Sequence, residues 1–237
     1  MGTMRRPATH SRGYRAAVAV SVVAATVVPM LGCTRVVGGT AHLGADAQAP
    51  LEPLLLAPGR FPTRYPARVL PAAAVDRSLW RIDGVAPDAV VTPPPCTPPR
   101  VGAAPRDAVA AAGTDTGTGA TLTVAITRTA AALEQRRAQL TACPAVTVAV
   151  GDRRTELRPE VLAAPPVDAD ASYAVRQTEL VDGQPTRERL TLVAQFDDIR
   201  VTASWAGPPA GSAIASPDAE ALDGVFLSAV LQARRHR

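Results

Sequence analysis

Between residues 145 and 207, five segments suited to β-strands follow one another with little chain between them: "AVTVAV", "RTELRPEVL", "SYAVRQTELV", "RERLTLVAQF" and "IRVTASWAG". "VDGQP" joins the third to the fourth with turn chemistry, and Asp197-Asp198 joins the fourth to the fifth as a tight hairpin. Strands connected this closely pair antiparallel, because a parallel pair needs a long crossover. The run therefore restricts the chain to folds built on an antiparallel sheet.

Flanking segments fill in the pattern. "AVAAAGTDTGTGATLTVAITRT" reads as strand, Gly/Thr turn and strand, with Leu122, Val124 and Ile126 facing one way. "PAAAVDRSLWRIDG" predicts a helix with Pro71 at its first position, Gly84 as terminator and Val75, Leu79 and Ile82 on one face. "TAAALEQRRAQLTAC" predicts a short helix with Leu133 and Leu140 inward, ending at Cys143. The last segment, "SPDAEALDGVFLSAVLQARR", places Ser216 as N-cap. Leu222, Val225, Phe226, Ala229 and Val230 form its apolar face, and Arg234 and Arg235 suit its C-terminal dipole. The expected fold class is α+β: an antiparallel sheet of about five to seven strands with two or three helices packed on it, at least two of them covering one face.

The formal net charge is +4, all 25 basic residues are arginine, and lysine is absent. Four of those arginines (Arg5, Arg6, Arg12, Arg15) precede Cys33 and no acid does, which leaves 21 arginines against 21 acids beyond it. The arginines are dispersed among acids rather than gathered in a stripe, so the sequence gives no footprint for nucleic acid, which is excluded as a partner.

The leader locates the protein. A basic start is followed by the apolar run Ala16 to Val28, long enough for a signal-peptide core and short for a membrane span. "MLGC" then sets Gly32 before Cys33, an arrangement that resembles a bacterial lipobox, with Met30 where the commonest version has leucine. In a lipobox the thiol carries diacylglycerol, and two or three acyl chains (palmitate among them) hold a protein stably at the membrane. Residues 1–32 are therefore expected to be a lipoprotein signal peptide, 33–53 a lipid-anchored flexible tether, and 54–237 one globular domain. A tether of that length reaches roughly 25 Å. The expected location is the extracytoplasmic face of the cell membrane. Setting Cys33 aside leaves Cys96 and Cys143, an even pair in an oxidising compartment and hence an expected disulfide.

Catalytic signals are sparse. The histidines are His10, His42 and His236, one in the leader, one in the tether and one at the end, which removes histidine-based general base chemistry and most zinc or copper sites from the domain. Asp168 and Asp170 in "VDAD" and Asp197-Asp198 are the carboxylates able to divide acid and base roles. Their turn context favours solvated loop residues. No metal or cofactor is expected. "GTDTGTGA" lacks the lysine and helix context of a phosphate loop. Trp80 and Phe226 belong with helix faces, and Tyr65 and Trp205 are the candidate ligand-binding pair.

Several features occur together: the lipobox-like leader, a Pro/Ala tether, "RFPTRYPARVLP", the cysteine of "PPPC", the cysteine after "LEQRRAQLTAC", and "LTLVAQFDDIRVTASW" before a final helix. This combination resembles an uncharacterised family of actinobacterial, mycobacterial-type envelope lipoproteins. More distantly it is similar to the extracellular sensor domain of the mycobacterial Ser/Thr kinase PknH. The resemblance implies an antiparallel sheet with helices around a cleft, and a role in sensing or binding at the envelope. That sensor family carries two disulfides where this chain has cysteines for one, so only Cys96–Cys143 carries over. The expected function is a non-enzymatic ligand-binding or sensor/interaction domain of an envelope lipoprotein. The alternatives are a lipid or glycolipid carrier with an apolar cavity and, less favoured, a carboxylate-based hydrolase.

Overall fold

The structure, a computed structural model, describes residues 49–100, 107–208, 211 and 215–236. The signal peptide, Cys33 and the tether as far as residue 48 lie outside the described residues. Among the described residues nine strands occur, in chain order: β1 (Ala67–Val69), β2 (Val90–Thr92), β3 (Ala108–Thr114), β4 (Thr121–Arg128), β5 (Val146–Val150), β6 (Arg153–Leu162), β7 (Ala171–Val181), β8 (Gln184–Phe196) and β9 (Ile199–Ala206). The helices are α1 (Ala72–Asp83), α2 (Leu133–Ala142) and α3 (Ala219–Arg235), with three single 3-10 turns besides.

All nine strands form one sheet in the order β1-β3-β4-β9-β8-β7-β6-β5-β2, antiparallel at every pairing. The expected count of five to seven strands is too low. The strands without a sequence signal are β1 and β2, the two edges of the sheet. Each has three residues and sits beside proline, too short for an alternating pattern to register. The turns behave as their residues dictate. Asp182 and Gly183 both take positive φ, 50° and 75°, between β7 and β8, which is the requirement of a type I′ hairpin turn.

The helices divide between the two faces, with α1 and α2 together on one, as expected of at least two helices, and α3 alone on the other. Helix α3 packs on β4, β8 and β9. Its buried residues Leu222, Val225, Phe226, Ala229, Val230 and Ala233 fall at helical spacing and meet Leu122, Val124, Ile126, Val201 and Trp205. The N-cap of α3 is Asp218, whose side chain accepts from the Ala221 N–H at 3.4 Å, and not Ser216. Pro217 and Asp218 are still non-helical, so the first turn begins two residues later than the Ser-Pro pair suggests. On the opposite face α1 packs on β3 and β4, and α2 on β6 and β7. Leu51, in the stretch the sequence reads as tether, is 1% exposed and belongs to the α3 core. Beside it the Gln232 Nε2 donates to the Pro53 carbonyl at 3.0 Å.

Candidate functional site

Side chains alternate across a strand, so the registers assign every residue to a face. The face under α3 carries rows such as Leu122–Trp205–Leu190 and Val124–Ala203–Leu192. The face under α1 and α2 carries the residues in between, in rows such as Thr123–Ser204–Thr191 and Thr127–Arg200–Gln195. Nine buried polar or charged side chains occur among the described residues, on β4, β7, β8 and β9. Every one of them belongs to this second face. A sheet covered by helices on both sides thus has one apolar interior and one polar interior.

The polar interior is organised around arginine. Arg189, on β8, is 3% exposed. Its Nη2 donates to Glu179 Oε1 at 2.7 Å, while its Nη1 has no acceptor among the described residues. Burial pushes the Arg189 guanidinium below its ordinary pKa and the Glu179 carboxylate works against that shift. Gly84 explains how a helix end fits above it. This residue ends α1 with a left-handed φ of 74°, and a Cβ there would lie 2.7 Å from Gln177 Nε2 and 3.2 Å from Arg189 Nη1. The C-terminal end of α1, whose Asp83 carbonyl accepts from Gln177 Nε2 at 3.3 Å, therefore closes over the buried cation.

A second arginine, Arg200 on β9, donates from Nε and Nη2 to Gln195 Oε1 at 3.2 and 2.8 Å. From Nη2 it also donates to the Ala131 carbonyl before α2, at 2.8 Å. Arg136 on α2 bridges the two helices, donating to Asp83 Oδ1 at 3.1 Å and to Gln139 Oε1 at 2.6 Å. Gln139 Nε2 continues the chain to the Pro95 and Thr97 carbonyls at 2.7 and 2.8 Å. Burial raises the Asp83 carboxyl, with Arg136 opposing the shift, and burial pushes the Tyr173 phenol up to about 12.

Cys96 and Cys143 form the expected disulfide, at a sequence separation of 47 and with their Cα atoms 5.8 Å apart. It ties the Pro93–Thr97 loop to the end of α2. Beside it runs an open trough of about 810 Å³, walled by Pro95, Ala138 and the disulfide, with Arg136 and Arg200 also lining it. A second groove, of about 590 Å³, lies between α1 and the far part of the polar face. Arg68 of β1, Arg77 and Arg81 of α1 and Arg189 of β8 line it, together with serine and threonine hydroxyls and no carboxylate.

Tyr65 and Trp205 do come together, on the other side of the sheet. Trp205 Nε1 donates to the Tyr65 hydroxyl at 3.1 Å, and that hydroxyl donates to Asp218 Oδ2 at 3.0 Å. Both rings are buried in the α3 core, so the pair anchors the cap of α3 to the sheet. The four aspartates gather at one end of the sheet in structural roles. Asp170 Oδ2 accepts from the Asp197 N–H at 2.8 Å, and Asp198 pairs with Arg128 at 3.2 Å. Asp168 pairs with Arg234, itself stacked 4.9 Å from the Phe196 ring centroid, and the Asp168 side chain is 90% exposed. None of them lines either groove. No group of three or more metal-ligating side chains and no helix long and apolar enough to cross a membrane occurs among the described residues.

Sequence reasoning missed Arg68, Arg77, Arg81, Arg189 and Arg200. The spacing of Arg77 and Arg81, one helical turn apart, was the one available signal.

Solved structures similar to this chain include two mycobacterial proteins. An uncharacterised protein from Mycobacterium smegmatis, an Rv0999 ortholog, matches with a TM-score of 0.46 at 16% identity, over 74% of this chain and 92% of its own. The extracellular domain of PknH from Mycobacterium tuberculosis matches with a TM-score of 0.43 at 12% identity, over 76% of this chain and 98% of its own. No protein family and no curated protein matches the sequence.

Proposed function

We propose that this protein is an extracytoplasmic, non-enzymatic binding or sensor domain, held to the membrane through lipid on Cys33, and that it takes its ligand on the polar face of the sheet. The observation that carries the reading is the concentration of buried polar side chains under α1 and α2, beside two open grooves. A polar interior costs stability unless every group is partnered, whereas the same strands bury apolar residues on their other face at no such cost. Binding accounts for keeping it. The disulfide supports an oxidising location, and the lipobox-like "MLGC" supports the anchor. The tether then gives the domain reach from the membrane. A second reading, a lipid or glycolipid carrier, is favoured by the trough walled by Pro95, Ala138 and the disulfide.

Native mass spectrometry of the full chain taken from its own envelope tests both parts. The denatured mass is expected to show acyl chains on Cys33, and the native spectrum an additional bound mass. A bare chain in both spectra, with an unmodified Cys33 thiol, would overturn the proposal. A bound mass of purely lipid composition would favour the carrier.

A further inference from the structure

The groove between α1 and the sheet is lined by four arginines and no carboxylate. Several arginines elsewhere are neutralised: Arg64, Arg128, Arg136, Arg158, Arg176 and Arg234 all pair with carboxylates. Arg68, Arg77 and Arg81 make no ion pair or side-chain hydrogen bond among the described residues, yet all three line one groove. Arg77 and Arg81 lie four residues apart on α1, so their side chains rise from one face about 6 Å apart and repel each other. Arg189 closes the inner wall. Glu179 takes its Nη2, and its Nη1 is a buried donor for which the described chain provides no acceptor. A buried charged donor without an acceptor, at the wall of a groove, has room for a partner from outside the chain.

We propose that this groove binds a tetrahedral oxyanion, the phosphate or sulfate ester of a ligand, with Arg68, Arg77 and Arg81 gathering the charge at the rim and Arg189 fixing the inner end. The inference rests on the reading that the polar face is the ligand-binding side, and it names the ligand chemistry. The lining supplies donors that match: guanidinium forks bond pairs of phosphate oxygens, and the hydroxyls of Ser78 and Thr123 add single donors. Carboxylates, which would repel the anion, are absent from the lining. Leu70 and Ile82 give the groove an apolar flank for the esterified part of the ligand. The same chemistry is presented by a soluble phosphorylated molecule and by a phospholipid headgroup.

Calorimetric titration of the full chain separates these sources and tests the site. The probes are pyrophosphate and dihexanoyl phosphatidylglycerol below its micelle concentration, with dihexanoyl phosphatidylcholine as the zwitterionic control. At least one anionic probe is expected to bind with a dissociation constant below about 1 mM. The double variant Arg77→Gln/Arg81→Gln, at two exposed positions of α1, is expected to weaken it at least tenfold, the loss typical of charge-assisted hydrogen bonds. Arg153→Gln/Arg154→Gln, on β6 and outside the groove, is expected to leave it unchanged. Arg189→Gln is expected to abolish binding, and its circular dichroism and melting curve show whether folding is kept. Pyrophosphate binding the tighter assigns a soluble ligand, and the phosphatidylglycerol probe binding the tighter assigns a headgroup. Failure of both anionic probes, or binding that the Arg77/Arg81 variant does not change, overturns the proposal. If that failure accompanies a bound mass in the native spectrum, the binding-domain reading stands and only the oxyanion assignment falls.

Discussion

The two faces of the sheet are made by the same strands and are both roofed by helices, yet they have opposite interiors. Under α3, Leu122, Trp205 and Leu190 lie side by side across β4, β9 and β8. One residue further along each strand, Thr123, Ser204 and Thr191 do the same on the reverse, joined by a Thr191–Ser204 hydroxyl contact of 2.8 Å. Alternation of this kind is the ordinary mark of a sheet with one dry face and one wet face. Here the wet face is covered as well, by two short helices that touch it through small apolar clusters: Val75 with Ala110 and Ala125, and Leu133 and Leu140 with Tyr173, Val175 and Val193. The larger apolar core lies on the α3 side, and on the proposed reading the ligand is taken on the other.

The sharpest way to break the comparison is to truncate the apolar core. Phe226→Ala is expected to cost about 3–5 kcal/mol by urea denaturation, because a large, wholly buried ring leaves a cavity the sheet cannot collapse to fill. A cost under about 1 kcal/mol would mean that α3 is not the main source of stability. Reducing the disulfide is next. Cys96 and Cys143 close a loop with a sequence separation of 47, worth about 4 kcal/mol in the chain-entropy model. Hydrogen exchange after reduction is expected to rise in α2, β2 and β5 before β4 and β9, and uniform loss of protection would contradict a division between the faces.

Titration sharpens the same contrast. Tyr173, on the polar face, has its pKa raised by burial from 10.0 to about 12, so the native state holds the phenolic proton more tightly than the unfolded chain does. Its contribution is complete below pH 10 and is lost as pH rises toward 12, a fall of roughly 2–3 kcal/mol. Tyr173→Phe is expected to remove that part of the alkaline slope, measured by urea midpoints at stepped pH. An unchanged slope would place the phenol in solvent. The smallest effect is of opposite sign. Thr127 Oγ1 is buried on the polar face without a hydrogen-bond partner among the described residues. Thr127→Val keeps the shape and removes the orphan, and is expected to stabilise by about 1 kcal/mol. A loss of stability instead would reveal a partner for that hydroxyl.

Much of the frame was legible. Strands β3 to β9 and the three helices announce themselves by period, by Asp-Gly and Asp-Asp turns and by Gly84, because these are local preferences that the fold accepted unchanged. The edge strands β1 and β2 were not, since three residues beside proline carry no period and are strands only through their neighbours. The Asp218 cap lies two residues beyond the Ser-Pro pair that advertised the helix start. The candidate site was less legible still. Tyr65 and Trp205 attract attention as aromatics, but their contact is one of core packing. The aspartates, whose turn context favours loop roles over chemistry, are turn and ion-pair residues.

The sequence by itself determined an antiparallel α+β domain, the pairing of Cys96 with Cys143, and the identity of the apolar stripe on α3, since alternation, cysteine count and helical period are properties of the chain read in order. Only the tertiary structure decided that the polar side of the strands would be roofed. It alone gathered arginines from β1, α1 and β8, dispersed among acids in the sequence, around one groove that holds no acid. Beyond Cys33 the 21 arginines and 21 acids of the chain cancel, whereas the field at a groove depends on which few charges the fold brings within several ångströms of one another.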